Sequence, residues 1–406
     1  MAHSYDLPQH EAVVAEGFEC PHTKIAPTSI SFDPKGDLFL LVGRQKCYQD
    51  PCVSLENHQH LYSNAMYFQV NSERLLGASP ALRFTLRAAK KASEKWVVKF
   101  PDDDSYSMLT IIYILYGHTT SPPFTQTMNI EQLLSLTILA NKYDLTHLLK
   151  NWSVKWVKDM EPYWFGEKFI GKPTEHLEAL LWIFWVLGHE PFYTHMMLQL
   201  AAYSGLDAGG RLADPAGSLC FINAYDLPVP PLAPIDIAHI RNGMLKFIRK
   251  SIKETLEEHL YGSCNKSWVR CCRMDGRDDL PWRRSVLRSF VGMLQAEGLW
   301  PLPSAYDMTA SPKFLVERFR RHPNLAAFTH HRNGRYCHPD GTFWERIEKI
   351  IREVRITLPA QASNHLKEQA MKSGLADHFE SMGLTADRVN WNMEETLEFQ
   401  ADCCGT

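Results

Sequence analysis

Three short apolar segments in the first quarter of the chain constrain its fold most strongly. They are Leu38–Val42, Tyr67–Val70 and Trp96–Phe100, each bounded by polar or turn-forming residues. Runs of this length and composition are typical of β-strands. Helical patterns follow the second segment, and paired helical patterns follow the third. This order favours an α+β cluster over alternating βα units.

Several local signals place the helices of this region. The Ser79-Pro80 pair predicts the end of one helix and the start of another. The acidic run Pro101–Asp104 predicts an N-terminal cap for an apolar helix, Tyr106–Tyr116, because carboxylates are stabilised at the positive end of a helix dipole. Gly117 is expected to end that helix, and Asn129 is expected to cap the next one.

Beyond the strands, the periodicity predicts an almost entirely helical chain. Two helices are expected between Glu175 and Leu206, and Asp236 is predicted to cap a long amphipathic helix. Further helices are expected around 283–297, 312–321 and 343–355. The predicted division of the chain is a flexible arm at 1–29, an α+β domain at 30–160 with an insertion at 44–64, a helical extension at 161–206, a linker or loop at 207–234, a helical C-terminal domain at 235–359 and a tail at 360–406.

Four segments in the first 160 residues carry a resemblance to a known family. They are GDLFLLVG, MYFQVNSERLLGASPALRFTL, WVVKFPDDDSYSMLTIIYILYG and NIEQLLSLTILANKYDLTHLL. In this order they resemble the BTB/POZ domain, in the version common in filamentous-fungal proteins. The resemblance implies a small BTB/POZ-like sheet with helices, followed by a mainly α-helical C-terminal region. The chain departs from the family at Asn71–Glu73, where many animal members have a histidine, and in the 44–64 insertion.

The resemblance also implies a function in protein binding. Members of the family self-associate, act as scaffolds, serve as substrate adaptors of cullin-type ubiquitin ligases or act in transcription-associated complexes. A homodimer and a cullin are therefore the implied partners. The residues that would border a self-association surface are Leu38, Phe39, Tyr67, Phe68 and Val70, and those nearer the face that would meet a cullin are Tyr113, Tyr116 and Tyr143.

The sequence gives no motif for a catalytic or nucleotide-binding site. It contains neither a GxxxxGK[ST] phosphate loop nor a GxSxG nucleophile elbow, and neither HExxH nor a dinucleotide glycine fingerprint. We therefore expect a non-enzymatic protein without an organic cofactor.

A structural zinc site is the alternative that the cysteines and histidines leave open. Cys264 and Cys272, with His331 and Cys337, would supply the four ligands that tetrahedral zinc requires. The residues between the paired ligands are more numerous than in the usual zinc motifs. The competing interpretation is that these side chains are free thiols and surface imidazoles. If zinc binds, the protein would be a zinc-stabilised helical binding protein.

Charge and hydropathy narrow the classes of partner. Lys and Arg number 43 against 46 Asp and Glu, a net charge of −3, so the sequence predicts neither nucleic acid nor an anionic membrane as partner. The longest apolar run, Ala179–Leu187, is shorter than the roughly 20 residues of a membrane span and predicts a buried helix. Ten cysteines without a secretory signal favour an intracellular protein, in the nucleus or the cytoplasm.

Overall fold

The computed structural model describes seven parts of the chain. These are residues 28–43, 65–90, 96–164, 174–213, 229–261, 280–320 and 356–382, apart from six positions between 119 and 126, together with Ile347 and Val354. The predicted insertion at 44–64 and almost all of the predicted helix at 343–355 lie outside the described residues.

A mixed four-stranded sheet forms the N-terminal part of the fold. Its strands are β1 (Thr28–Ser31), β2 (Leu38–Val42), β3 (Met66–Val70) and β4 (Val97–Phe100), in the order β1-β3-β2-β4. Strand β2 is antiparallel to β3 and parallel to β4. Alternate residues of β2 are fully buried, because successive side chains of a strand point to opposite faces. The three predicted strands are confirmed.

Strand β1 was not predicted, and it corrects the boundary of the expected arm at 1–29. Its sequence, Thr-Ser-Ile-Ser, has only one apolar residue and no apolar alternation. The strand forms through its backbone, which pairs in parallel with β3 from Thr28 opposite Met66 to Ser31 opposite Gln69. The Ser31 hydroxyl also donates to the Gln69 side-chain oxygen at 3.1 Å.

Four helices with well-defined caps surround the sheet. They are α1 (Ser72–Ala78), α2 (Pro80–Lys90), α3 (Ser105–Tyr116) and α4 (Ile130–Lys142). The Asp104 carboxylate accepts the Ser107 amide at 2.7 Å, and Asn129 forms a capping box with Gln132. Gly117 ends α3 with a φ of 74°, which glycine adopts at little energetic cost. The helix boundaries predicted from Ser79-Pro80, the acidic run, Gly117 and Asn129 are confirmed.

The same core continues into the next three helices. They are α5 (Ser153–Trp164), α6 (Thr174–Leu187) and α7 (Glu190–Tyr203). Every residue of the predicted apolar run Ala179–Leu187 is buried in α6. The expected linker at 207–234 contains part of a small hairpin, β5 (Gly205–Leu206) with β6 (Leu212–Ala213).

The long helix α8 (Ala233–Tyr261) contributes to two hydrophobic cores. Ile237 and Met244 are buried with the sheet and α1–α7, whereas Ile248 and Ile252 are buried with α9 (Leu280–Ala296) and α10 (Pro312–Arg320). The amphipathic pattern is therefore confirmed. Asp236 is not the cap, because its amide already bonds to the Leu232 carbonyl at 3.0 Å inside the first turn.

The expected tail at 360–406 begins with two packed helices, α11 (Ala360–Ser373) and α12 (Leu375–Met382). Leu366 and Leu375 are fully buried in the core of the N-terminal part. Ser373 donates to the Leu187 carbonyl at 2.6 Å and accepts from the Ser153 hydroxyl through its own carbonyl at 2.6 Å. The prediction of a tail is thus wrong for 360–382, because few apolar residues are enough when small side chains allow close packing.

Within the described residues, no helix combines the length and the apolar character needed to cross a membrane.

Candidate interaction surface

An aromatic cluster lies where strand β1 meets helix α3. Phe32 directly follows β1, and its ring centroid lies 5.3 Å from that of Tyr113 and 5.4 Å from that of Tyr116. Tyr113 and Tyr116 are three residues apart, so they share one face of α3. The His118 ring stacks on Tyr116 with an interplanar angle of 3° and centroids 6.4 Å apart. We name Phe32, Tyr113, Tyr116, His118 and Arg74 the aromatic surface.

Two contacts from the start of α1 fix Tyr116 in place. The Asn71 amide donates to the phenol oxygen of Tyr116 at 2.7 Å. The Arg74 guanidinium carbon lies 4.5 Å from the centroid of the Tyr116 ring, within the range of a cation–π contact. Arg74 also donates to the Leu115 carbonyl at 3.1 Å. Burial raises the pKa of Tyr116, an effect that the Asn71 hydrogen bond opposes. The phenol therefore stays neutral at physiological pH.

This arrangement is suited to binding a protein partner. Phe32, Tyr113 and Tyr116 are half-buried, whereas Arg74 and His118 are exposed. Partly exposed aromatic and arginine side chains are enriched in the energetic centres of protein interfaces. Side chains held in one arrangement before binding lose less conformational entropy when a partner docks.

The sequence prediction contained only part of this surface. It named Tyr113 and Tyr116, and the structure brings these two together. It missed Phe32 because β1 was not recognised, and it missed Arg74 because no local pattern places α1 beside the end of α3. The Asn71 cap of α1 is the one sequence signal that could have located Arg74 on the first turn of that helix.

Tyr143, the third residue predicted to face a cullin, is buried and not on the surface. Its hydroxyl donates to Asp103 Oδ2 at 2.6 Å, and its ring packs edge-on against Phe100 with centroids 5.8 Å apart. Burial, together with the neighbouring Asp103 carboxylate, raises its pKa. Tyr143 therefore supports the fold.

The residues predicted to border a self-association surface divide between the two faces of the sheet. Leu38, Phe68 and Val70 are fully buried in the core and cannot contact a partner unless the core opens. Phe39 and Tyr67 lie on the opposite face, where their rings stack at 5.6 Å. Tyr67 is itself buried, so Phe39, which is half-buried, is the accessible member of the set.

The predicted zinc ligands Cys264, Cys272, His331 and Cys337 all lie outside the described residues. Among the residues that are described, no group of three or more potential ligands could hold a metal ion. This result does not bear on the zinc site, because none of the chain's cysteines falls within the described ranges. The zinc site therefore stays a prediction.

No protein-family model, no curated protein and no solved structure matches the chain. The structure establishes a mixed α+β fold that is mostly helical around a small four-stranded sheet. The resemblance to the BTB/POZ domain stays a prediction.

Proposed function

We propose that the chain is a non-enzymatic protein-interaction molecule built on a BTB/POZ-like domain. It acts in the nucleus or the cytoplasm as a scaffold or as a substrate adaptor of a cullin-type ubiquitin ligase. The order of elements supports this proposal: a β2-β3 hairpin, the α1-α2 pair, a strand β4 parallel to β2, and the α3-α4 pair. A transcription-associated regulator is the alternative within the same class of proteins.

The observation that carries the proposal is the aromatic surface around Tyr116. A partly exposed phenol ring is held by a backbone amide on one side and covered by a guanidinium on the other. An exposed arginine at such a position offers donors to a carboxylate of the partner, and the rings offer apolar contact area. A docking partner would therefore combine an acidic group with an apolar side chain.

Affinity capture of the full-length protein from its native cells tests the proposal. We expect wild-type protein to retain a stoichiometric partner, with a cullin among the captured proteins, and Arg74→Glu to lose it by on the order of tenfold or more. Arg87→Glu is the matched control, because Arg87 is an exposed arginine on the neighbouring helix α2. Equal capture by all three proteins would remove the aromatic surface from the proposal.

Self-association through the outer face of the sheet is a second candidate function. Phe39 and Leu41 are half-buried on this face, beside the stacked Tyr67 ring. Light scattering should then give a mass above the 46.6 kDa of one chain. Phe39→Glu should return the mass to that of a monomer. A wild-type monomer at micromolar concentration would contradict this candidate.

A further inference from the structure

A basic groove lies between helix α8 and the segment 304–306, far along the chain from the aromatic surface. Its volume is about 380 Å³. The side chains that give it its character are Lys246, Arg249, Lys250, Lys253 and Tyr306. The four cations follow one another at the i, i+3, i+4 and i+7 positions of α8, so they form one continuous row on that helix.

The first two cations have no carboxylate partner among the described residues. The Lys246 ammonium lies 4.9 Å from the centroid of the Tyr306 ring. Arg249 donates from Nε to the Pro303 carbonyl at 2.9 Å, which leaves its terminal nitrogens toward the groove side of the helix unpaired. Tyr306 itself is 61% exposed, so the groove has an aromatic rim.

The other two cations have only weak pairs within their own helix. Lys250 lies 3.7 Å from Glu254, and Lys253 lies 3.6 Å from Glu257. Exposed pairs at this separation contribute little to stability and leave much of the charge uncompensated. The groove is therefore a positively charged surface that fits an acidic occupant.

The chain itself contains a segment of the opposite charge. Residues 390–406 contain four acids and no lysine or arginine. Glu394, Glu398 and Asp402 are spaced by four residues, which is the spacing of one helical face. At 1.5 Å per residue such a row is about 12 Å long, and the row from Lys246 to Lys253 is about 10.5 Å long. The two charge rows therefore match in length.

The segment is connected closely enough to reach the groove. Twelve residues separate Glu394 from Met382, the last described residue of α12, and they can span up to about 40 Å. Helix α12 packs on α11, α11 contacts α7, and α7 packs on α8. A tether of this length gives a high effective concentration of the acidic segment at the groove.

We propose that the acidic segment 390–406 docks in the basic groove of its own chain. Its carboxylates pair with Lys246, Lys250 and Lys253, and its apolar residues contact the Tyr306 ring. The docked segment covers the groove, so any acidic partner of α8 must first displace it.

Zero-length cross-linking of the full-length protein, which joins a lysine directly to a carboxylate, tests this docking. We expect cross-links within the monomer from Lys246, Lys250 or Lys253 to the acids of the segment. High salt should reduce them, because ions screen exposed charges. Lys367, an exposed lysine on α11, is the control acceptor. Cross-links spread equally over Lys367 and the groove lysines, or found only between two chains, would overturn the proposal.

Charge variants give the second arm of the test. Replacing Lys246, Lys250 and Lys253 together by Gln should lower the groove cross-links that remain at Arg249-flanking positions and weaken binding of a synthetic 390–406 peptide to the segment-deleted chain by on the order of tenfold. Glutamine avoids new repulsion with Glu254. The control variant Lys367→Gln should bind the peptide as the unsubstituted protein does. Unchanged peptide binding by the triple variant would also overturn the proposal.

Discussion

The hydroxyl of Tyr143 donates a 2.6 Å hydrogen bond to the carboxylate of Asp103, forty residues earlier in the chain. The other oxygen of Asp103 accepts from the Lys142 ammonium at 2.5 Å. The Asp103 side chain is 4% exposed, so these two donors replace the water that it has lost. The contact joins the end of α4 to the turn that precedes α3.

Tyr143→Phe should lower the free energy of unfolding by about 1.5–3 kcal/mol, because it removes a donor from a buried carboxylate. Urea denaturation followed by circular dichroism measures the change. Tyr106→Phe is the control, since Tyr106 is 59% exposed and its substitution should change stability by less than about 0.5 kcal/mol. Equal effects of the two substitutions would show that the bond to Asp103 contributes nothing.

Arg241→Met should destabilise the protein by about 3 kcal/mol or more, because it leaves buried carbonyl groups without donors. The buried guanidinium donates to Ser204 O at 2.9 Å, Met308 O at 2.6 Å and Ala310 O at 3.0 Å. It thereby ties α7 and α8 to the segment before α10. Thermal unfolding measures the effect, and Arg288→Met, on an exposed part of α9, should leave the midpoint nearly unchanged.

Stability should fall as the pH decreases below about 6.5, with His189 contributing most clearly. Burial lowers its pKa to about 3. The unfolded chain therefore binds a proton below pH 6.5 that the folded chain does not, so the stabilisation is complete above that pH and is lost as the pH falls toward 3. The loss between pH 7.5 and 5 is about 2 kcal/mol. Burial also lowers the pKa of His195, to about 4, which adds to the same trend.

A single substitution separates His189 from the other histidines. His189 caps α7 by accepting the Phe192 amide at 3.3 Å through Nδ1. Asparagine can accept the same bond but does not titrate. Urea midpoints of His189→Asn should therefore depend less on pH between 7.5 and 5 than those of the wild type. An identical pH dependence in both proteins would assign the acid sensitivity to other groups.

Gly188→Ala should destabilise the protein far more than Gly117→Ala. Both glycines have positive φ, 78° and 74°, so each substitution carries a backbone penalty of about 1–2 kcal/mol. A Cβ at Gly188 would also lie 2.1 Å from the Ala370 backbone nitrogen, whereas a Cβ at Gly117 would meet nothing within 4 Å. We expect Gly188→Ala to loosen α11, which hydrogen exchange at Leu366 and its neighbours would detect. Protection of α11 equal to that in Gly117→Ala would contradict this.

Much of the secondary structure could be predicted because its causes are local. The caps at Asp104 and Asn129, the stop at Gly117 and the apolar strand β2 all depend on residues within a few positions. Strand β1 and helix α11 could not be predicted in the same way. Strand β1 exists because β3 offers it backbone partners, and α11 is held by a close approach to Gly188 that only the folded chain creates.

The candidate surface shows the same division. The sequence placed Tyr113 and Tyr116 on one helical face, which follows from the helical period alone. It could not show that Tyr143, in an equally promising motif, turns inward to meet Asp103. Whether an aromatic side chain is exposed depends on what packs above it, and that is a property of distant elements.

By itself, the sequence determined that this chain forms a small early sheet with many helices, because strand and helix periods and caps are written in neighbouring residues. The tertiary structure decided which aromatic residues remain on the surface, that α8 joins two cores, and that residues 360–382 return to the N-terminal core. These outcomes depend on contacts between residues far apart in the chain, such as Arg241 with Met308 and Ser153 with Ser373. Such contacts leave no periodic trace in the sequence.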